Sequence, residues 1–359
     1  MIIGFLRQSN SNISPIVPNN IAKLKSLFDD VYIESGIGNG AYFIDAQFDG
    51  AQIKKRQEII SECDVIVQIT PEFSDQEYAS AKPSAIFLGQ YAPFTDEKIS
   101  KDLKSKGINA FSFDMIPRTS LAQSMDVLSS MASIAGYQAV LDALNILPRY
   151  APMMITAAGS IKPSKVLVLG AGVAGLQAIA TARRMGAMVE AFDTRVAVKE
   201  EVQSLGAKFV EVEGATDDKD AGGYAVEQTD DYKRRQAELI QEKAKNSDVI
   251  ITTAQLRGRP APTLISKETV ENMKSGSVIV DLAASTGGNC ALTQNDSVID
   301  HNGITIIGDS NLPNKMPQDA STLYSNNILN FLKHIVKEGN IDLSSEDEIL
   351  SKSLISKKA

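Results

Sequence analysis

The chain is poor in the residues most often used for acid–base, nucleophilic or metal chemistry. Its 359 residues include two cysteines, Cys63 and Cys290, and two histidines, His301 and His334. The cysteines are far apart and in no metal-like spacing, which argues for a reducing compartment and against a disulfide framework. With so few histidines and no paired His/Cys/Asp spacing, no metal site is expected. Basic charge is also short. The chain has 36 Lys and Arg against 44 Asp and Glu, a net charge of −8, so nucleic acid or an anionic membrane surface is not expected as the main partner. No apolar run reaches the ~18 residues needed to span a bilayer. The start, Met1-Ile-Ile-Gly-Phe-Leu-Arg7, has no basic segment before its short apolar run and reads as a first strand rather than a signal peptide.

What is present reads as a globular α/β chain, 43% hydrophobic and 22% charged, long enough for two domains. Strand candidates Ile2–Leu6, Asp30–Glu34, Asp64–Thr70, Ala85–Leu88 and Ala110–Phe113 alternate with helical patterns such as Asn19–Phe28 and Ile53–Ser61. A long helix is expected from Ser124 to Leu147, ended by Pro148. Six further strand candidates follow: Val166–Leu169, Met188–Phe192, Lys208–Val212, Asp248–Thr253, Ser277–Leu282 and Ile304–Ile307. Helices Ala174–Met185, Val196–Leu205 and Tyr232–Lys245 lie between them. The expected fold is α/β, two doubly wound parallel-sheet (Rossmann-like) domains joined by the long helix. A last helix, Thr322–Val336, is expected to return to the first unit. The expected domains are therefore 1–125 with 316–359, and 126–315. The tail from Asp342 reads as a short helix or a frayed end.

The most informative segment is Lys165-Val-Leu-Val-Leu-Gly170-Ala-Gly172-Val173-Ala174-Gly175, an apolar strand running into a glycine turn and then a helix. Gly170 permits the tight turn, Gly172 lets backbone approach a pyrophosphate, and Gly175 lets helix pack on strand. Val173 and Ala174 begin the helix, whose free N–H groups and dipole favour phosphate. Asp193 lies eighteen residues past Gly175, at the end of the next strand candidate. It suits the ribose hydroxyls of NAD(H), and its charge repels the 2′-phosphate of NADP.

Other segments leave two readings open. Glu213 to Asp231, with Gly222, Gly223 and Tyr224, is either a lid over a ligand or a solvated acidic loop. Arg118, Gln123, Asp126 and Ser129 either face a cleft or simply cap the long helix. Thr252 to Gln255, including Ala254, and Gly287 to Cys290 follow strands whose carboxyl ends line a ligand crevice in such folds. Cys290 reads as a buried thiol.

Together these residues resemble the alanine dehydrogenase and pyridine nucleotide transhydrogenase family. The nearer likeness is to domain I, the NAD(H)-binding domain of proton-translocating transhydrogenases. It is carried by Arg118-Thr-Ser-Leu-Ala-Gln123-Ser-Met-Asp126-Val-Leu-Ser129, the glycine turn through Arg183, Asp193-Thr194-Arg195, Ala221-Gly-Gly-Tyr224, Lys233-Arg-Arg-Gln236 and Asp281 to Cys290. The resemblance implies that Arg118, Gln123, Asp126 and Ser129 hold the nicotinamide end. It implies that Asp193, Thr194 and Arg195 meet the ribose side, and that Gly223, Tyr224 and Gln236 belong to a closing loop and its neighbour. It further implies hydride transfer from NADH to NADP⁺ on a separate domain III subunit, and proton movement through a membrane-spanning domain II. A homodimer, peripheral on the cytoplasmic face of the inner membrane, completes the picture. Hydride passing between two nicotinamides needs no protein acid or base, in keeping with the chain's poverty in histidine. An alanine dehydrogenase-like enzyme is the alternative, but Ser11 to Pro18 lacks that branch's arginine and Val65-Ile-Val-Gln68 its lysine. The other alternative is a non-catalytic NAD(H)-sensing homologue.

Overall fold

The computed structural model describes residues 1–212, 229–256, 258–344 and 346–358. They form two compact units, Met1–Met131 with Pro313–Ala359, and Ala132–Leu312.

In the first unit, strands β1 (Ile2–Phe5), β2 (Asp30–Glu34), β3 (Gln52–Lys54), β4 (Val65–Val67), β5 (Ile86–Gly89) and β6 (Asn109–Ser112) are mutually parallel. Short apolar runs such as Val65-Ile-Val67 are buried throughout, as expected for a sheet covered on both faces. With a C-terminal edge strand β18 (Leu354–Ser356), the sheet order is β18-β6-β5-β4-β1-β2-β3, so the strand order reverses between β1 and β4. Helix Pro317–Ile335 closes this unit, burying Tyr324, Ile328, Phe331 and Leu332 against strand residues Phe5, Val67 and Phe111.

In the second unit, hairpin β7 (Met154–Thr156) and β8 (Gly159–Ile161) precede β9 (Lys165–Leu169), β10 (Met188–Phe192), β11 (Lys208–Phe209), β12 (Val249–Thr252), β13 (Val278–Asp281), β14 (Val298–His301) and β15 (Ile304–Ile307). The main sheet runs β11-β10-β9-β12-β13-β15-β14, parallel except for β14. Its order reverses between β9 and β12, where Leu169 lies opposite Thr252.

Several sequence expectations need correction. The second sheet has a seventh strand, β14. Asn302 (φ 55°) and Gly303 (φ 80°) form the two-residue turn that pairs it with β15, a hairpin signal already present in the sequence. Ile53 and Lys54, assigned to a helix, belong with Gln52 to edge strand β3. The helix starts only after Lys55, whose N–H donates to Glu58 (2.8 Å). Asn19–Phe28 is helical only over Ile21–Leu24, behind a 3₁₀ turn at Pro18–Asn20. Strand β11 is two residues rather than five. Of the two readings of the tail the short helix is present, as Glu348–Ser353, but it also leads into an unexpected strand β18 (Leu354–Ser356), antiparallel to β6, and β16 (Val336–Lys337) and β17 (Asn340–Ile341) form a small ribbon.

The helix Val127–Ile146 also corrects the statement about membrane-length segments. Its 20 residues, at a mean hydropathy of 1.2, are long and apolar enough to cross a bilayer. Counting residue by residue, the apolar run breaks at Ser129, Gln138 and Asp142, whereas the average over the helix does not. Its Val127 packs in the core of the first unit and its Ala139, Val140 and Ala143 in that of the second.

Candidate nucleotide site

The second unit's reversal point is built from the glycine turn on one side and the segment after β12 on the other. Gly170 has φ +104°, a conformation that L side chains avoid, and a Cβ there would lie 2.3 Å from Thr253 Oγ1. A Cβ on Gly175 would lie 1.8 Å from the Gly170 carbonyl oxygen. Gly172 differs: a Cβ there would have no neighbour within 4 Å, so the space in front of it is open. Gly172 is also the N-cap of helix Val173–Arg184 and supplies no side-chain cap. The helix's first N–H groups therefore border open space that glycine keeps clear, next to exposed Val173 and half-buried Ala174. This arrangement fits the pyrophosphate of a dinucleotide.

Asp193 is buried beside this turn. Its Oδ2 accepts the Ala171 N–H (2.7 Å) and Arg195 Nη2 (2.9 Å); its Oδ1 accepts the Arg195 backbone N–H (2.8 Å) and Nε (3.0 Å). The carboxylate holds the Arg195 guanidinium more firmly protonated than usual, against the opposing effect of partial burial. Thr194 between them is half-buried. In the chain alone, both carboxylate oxygens are thus engaged by backbone and by Arg195.

Thr253 Oγ1 donates to the Gly170 carbonyl (3.1 Å). Ala254 is held at both ends by Asn289, donating its N–H to Oδ1 (3.0 Å) and accepting from Nδ2 (2.9 Å). Gln255 donates to the Leu282 carbonyl (2.6 Å). Behind these residues lies Asp281, fully buried, which accepts from the N–H groups of Ala283, Asn289 and Cys290 and the hydroxyls of Thr252 and Thr293. The sequence reading gives Asp281 no role; an Asp closing the apolar strand Val278-Ile-Val-Asp281 was the available signal. Cys290 is buried, and burial pushes its thiol above the ordinary range. Gln236 is half-buried on helix Asp230–Lys245. Gly223 and Tyr224 lie outside the described residues.

The other predicted segment belongs to the first unit. Ala122 and Met125 are buried in its core, while Arg118 and Gln123 are exposed. Among the described residues, neither Arg118 nor Gln123 commits its side chain to an internal hydrogen bond. Asp126 caps the helix Val127–Ile146: Oδ1 accepts the Ser129 N–H (3.0 Å) and Oδ2 the Ser129 hydroxyl (2.6 Å). The structure therefore joins Asp126 to Ser129 as a cap and leaves Arg118 and Gln123 available to a ligand.

Residues 7–135 match the family described as alanine dehydrogenase/PNT, N-terminal domain, and residues 139–359 match its C-terminal domain. The chain belongs to the alanine dehydrogenase/PNT family, on its transhydrogenase branch. It is 43% identical over 357 residues to the NAD(P) transhydrogenase subunit alpha of Haemophilus influenzae, covering 98% of this chain and 69% of that one. It is 40% identical over 353 residues to the first part of the subunit alpha of Rhodospirillum rubrum, covering 95% and 92%. A crystal structure of transhydrogenase from Sinorhizobium meliloti superposes with a TM-score of 0.90 at 38% identity, covering 100% of this chain and 99% of that one. Two alanine dehydrogenases match at 24% and 22% identity. The chain is accordingly a transhydrogenase-type pyridine-nucleotide oxidoreductase component.

Proposed function

We propose that this chain is the NAD(H)-binding subunit of a proton-translocating transhydrogenase, passing hydride from NADH to NADP⁺ held on a domain III subunit. The observation that carries the reading is the open space at Gly172, at an uncapped helix start with Asp193 beside it, in a chain of this family. The uncapped helix start after Gly172 binds the pyrophosphate, and Asp193 with Arg195 orients the adenosine ribose. Arg118 and Gln123 hold the nicotinamide end, with Asp126 and Ser129 fixing the helix start behind them. Gly223, Tyr224 and Gln236 serve as the closing loop and its neighbour. The bound dinucleotide supplies the hydride, and the protein's part is to orient the ring and exclude water. Catalysis then depends on the NADP(H)-binding subunit and membrane-spanning domain II subunits. The chain sits at the cytoplasmic face of the inner membrane, peripheral through those partners. A homodimer is supported by the hairpin β7–β8, which exposes Met153, Met154, Ile155 and Ile161 beside Tyr150.

Alanine dehydrogenase chemistry is not favoured by the first unit's own reversal point. There, Gln68 donates to the Arg7 carbonyl and accepts the Glu72 N–H, while Gln8 and Ser9 donate to the Glu72 carboxylate. Arg7 and Arg56 line a cavity of about 300 Å³ with Glu34 and Glu72, and Arg56 is already paired with Glu77 (2.6 Å). That balanced set gives a substrate carboxylate little net attraction.

The test is hydride transfer from NADH to an oxidised NADP analogue in the presence of a domain III, with NADH affinity measured alongside. Tight NADH binding without transfer would sink the proposal. Gln123→Ala is expected to slow transfer at saturation about tenfold or more while changing NADH affinity little; the reverse pattern would remove Gln123 from the nicotinamide end.

A further inference from the structure

The turn that presents Gln123 has a weak point in its backbone. Gln123–Met125 is a single 3₁₀ turn, and the α-helix starts anew at Val127. The turn is closed by Met125 N–H to the Ala122 carbonyl (2.9 Å) and by a longer bond from Asp126 N–H to the Gln123 carbonyl (3.3 Å). Neither the turn nor the following helix supplies an N–H to the Ser124 carbonyl. A break of this kind leaves a peptide free to rotate unless something else holds it.

The holding groups come from the far end of the chain. Asn327 Nδ2 donates to the Ser124 carbonyl (2.9 Å), and Asn330 Nδ2 donates to the same oxygen (3.1 Å). The two asparagines are one turn apart on helix Pro317–Ile335, so they share a face. Together they satisfy both lone pairs of a carbonyl that the turn leaves over. Asn327 is 6% exposed, and among the described residues its own buried Oδ1 has no hydrogen-bond partner. Burying an unsatisfied acceptor costs free energy, which the fold tolerates at the position that brings Nδ2 to Ser124.

We propose that Asn327 and Asn330 are positioning residues for hydride transfer: by clamping the Ser124 peptide they fix the direction in which neighbouring Gln123 projects. This rests on the role given to Gln123 above. Pre-organisation of this kind matters because a displacement of about 1 Å near the reacting groups can cost on the order of a hundredfold in rate.

The experiment has two arms. In the first, hydrogen exchange of residues 118–127 is measured in the purified chain without nucleotide, for wild type, Asn330→Ala, Asn327→Leu and the double variant. Asn330 is half-exposed, so its variant folds even if the buried Asn327 substitution perturbs packing. Faster exchange at Met125 and Asp126, with strands β1 and β4 still protected, is expected. Unchanged exchange in Asn330→Ala and in any folded Asn327 variant overturns the clamp. In the second arm, hydride transfer and NADH affinity are measured with a domain III. Transfer at saturation about tenfold slower or more, with NADH affinity within about twofold, is expected. Looser exchange with normal transfer overturns the positioning role. A wild-type chain that transfers no hydride is a failure of the function proposed above, and the exchange arm then decides the clamp by itself.

Discussion

Asp193→Asn is the sharpest probe of nucleotide choice. The wild-type carboxylate accepts four N–H groups, three of them from Arg195. A 2′-phosphate charge placed about 4 Å from it would meet a penalty of about 4 kcal/mol at an effective dielectric of about 20. The Arg195 guanidinium offsets part of the carboxylate charge, which brings the net penalty nearer 2 kcal/mol, or about 30-fold in Kd. Asparagine removes that charge and replaces one of the two accepting oxygens by an NH2 donor, so the N–H groups of Arg195 that meet that oxygen lose their acceptor. Released from its partner, Arg195 is well suited to a phosphate. The expected outcome is a shift of about 30-fold or more toward NADPH in the ratio of the two affinities, with NADH itself binding about tenfold more weakly through the lost charged acceptor. The assay is titration of NADH and NADPH against the purified chain, followed by dihydronicotinamide fluorescence, which needs no partner subunit. Adding Arg195→Ala should remove much of the NADPH gain. An unchanged affinity ratio in Asp193→Asn would refute the ribose-side role, and an equal NADPH gain with and without Arg195 would refute the part given to the guanidinium.

Further predictions concern the turn, the thiols and the tail. Gly172→Ala places its methyl in open space, so thermal stability should stay within about 0.5 kcal/mol of wild type while NADH affinity falls at least about tenfold; intact binding would mean that no ligand uses that space. Gly175→Ala meets backbone at 1.8 Å and should cost about 3 kcal/mol or more, seen as a large drop in Tm even without nucleotide. Both thiols are buried, and burial pushes Cys63 up to about 12; a disulfide reagent at pH 8 should label the native chain far more slowly than the unfolded one. Asp347 caps helix Glu348–Ser353 through the N–H groups of Ile349 and Leu350 and pairs with His334 (3.0 Å). Burial opposes its ionisation, but those partners outweigh it and hold the carboxyl below its usual range. Because the folded-state value is lowered, its stabilisation is present above the ordinary carboxylate range near ~3.9 and is lost as pH falls through the lowered value. Asp347→Asn should therefore lower Tm at pH 7 but not at pH 2, and an equal loss at both would contradict the charge assignment.

Much of the fold was legible because its signals are local. The apolar runs of β1, β9, β10, β12 and β13 are short and bounded, and the glycine spacing of the turn follows from φ and Cβ limits that hold within six residues. The departures came where local pattern was weak or outvoted. Strand β3 exists because its backbone pairs with Tyr32–Glu34, although Ile53 continues smoothly into a helical pattern. Strand β14 announced itself only through Asn302-Gly303. At the site, sequence reading left Asp126 open between a cap and a cleft residue, and only the structure showed that its carboxylate bonds the Ser129 N–H and hydroxyl as a cap does.

The sequence alone determined that a strand enters a glycine turn and leaves as a helix, with an acid closing the next strand. Those are properties of neighbouring residues, set by chirality and by side-chain period. Tertiary structure decided what each polar group is spent on. It brought the Ala171 N–H onto Asp193, hung Ala254 on Asn289 and Asn289 on Asp281, and carried Asn327 across 203 positions to the carbonyl of Ser124. Hydrogen bonds at that separation depend on sheet order and on how a helix seats against a turn, and no local pattern encodes either.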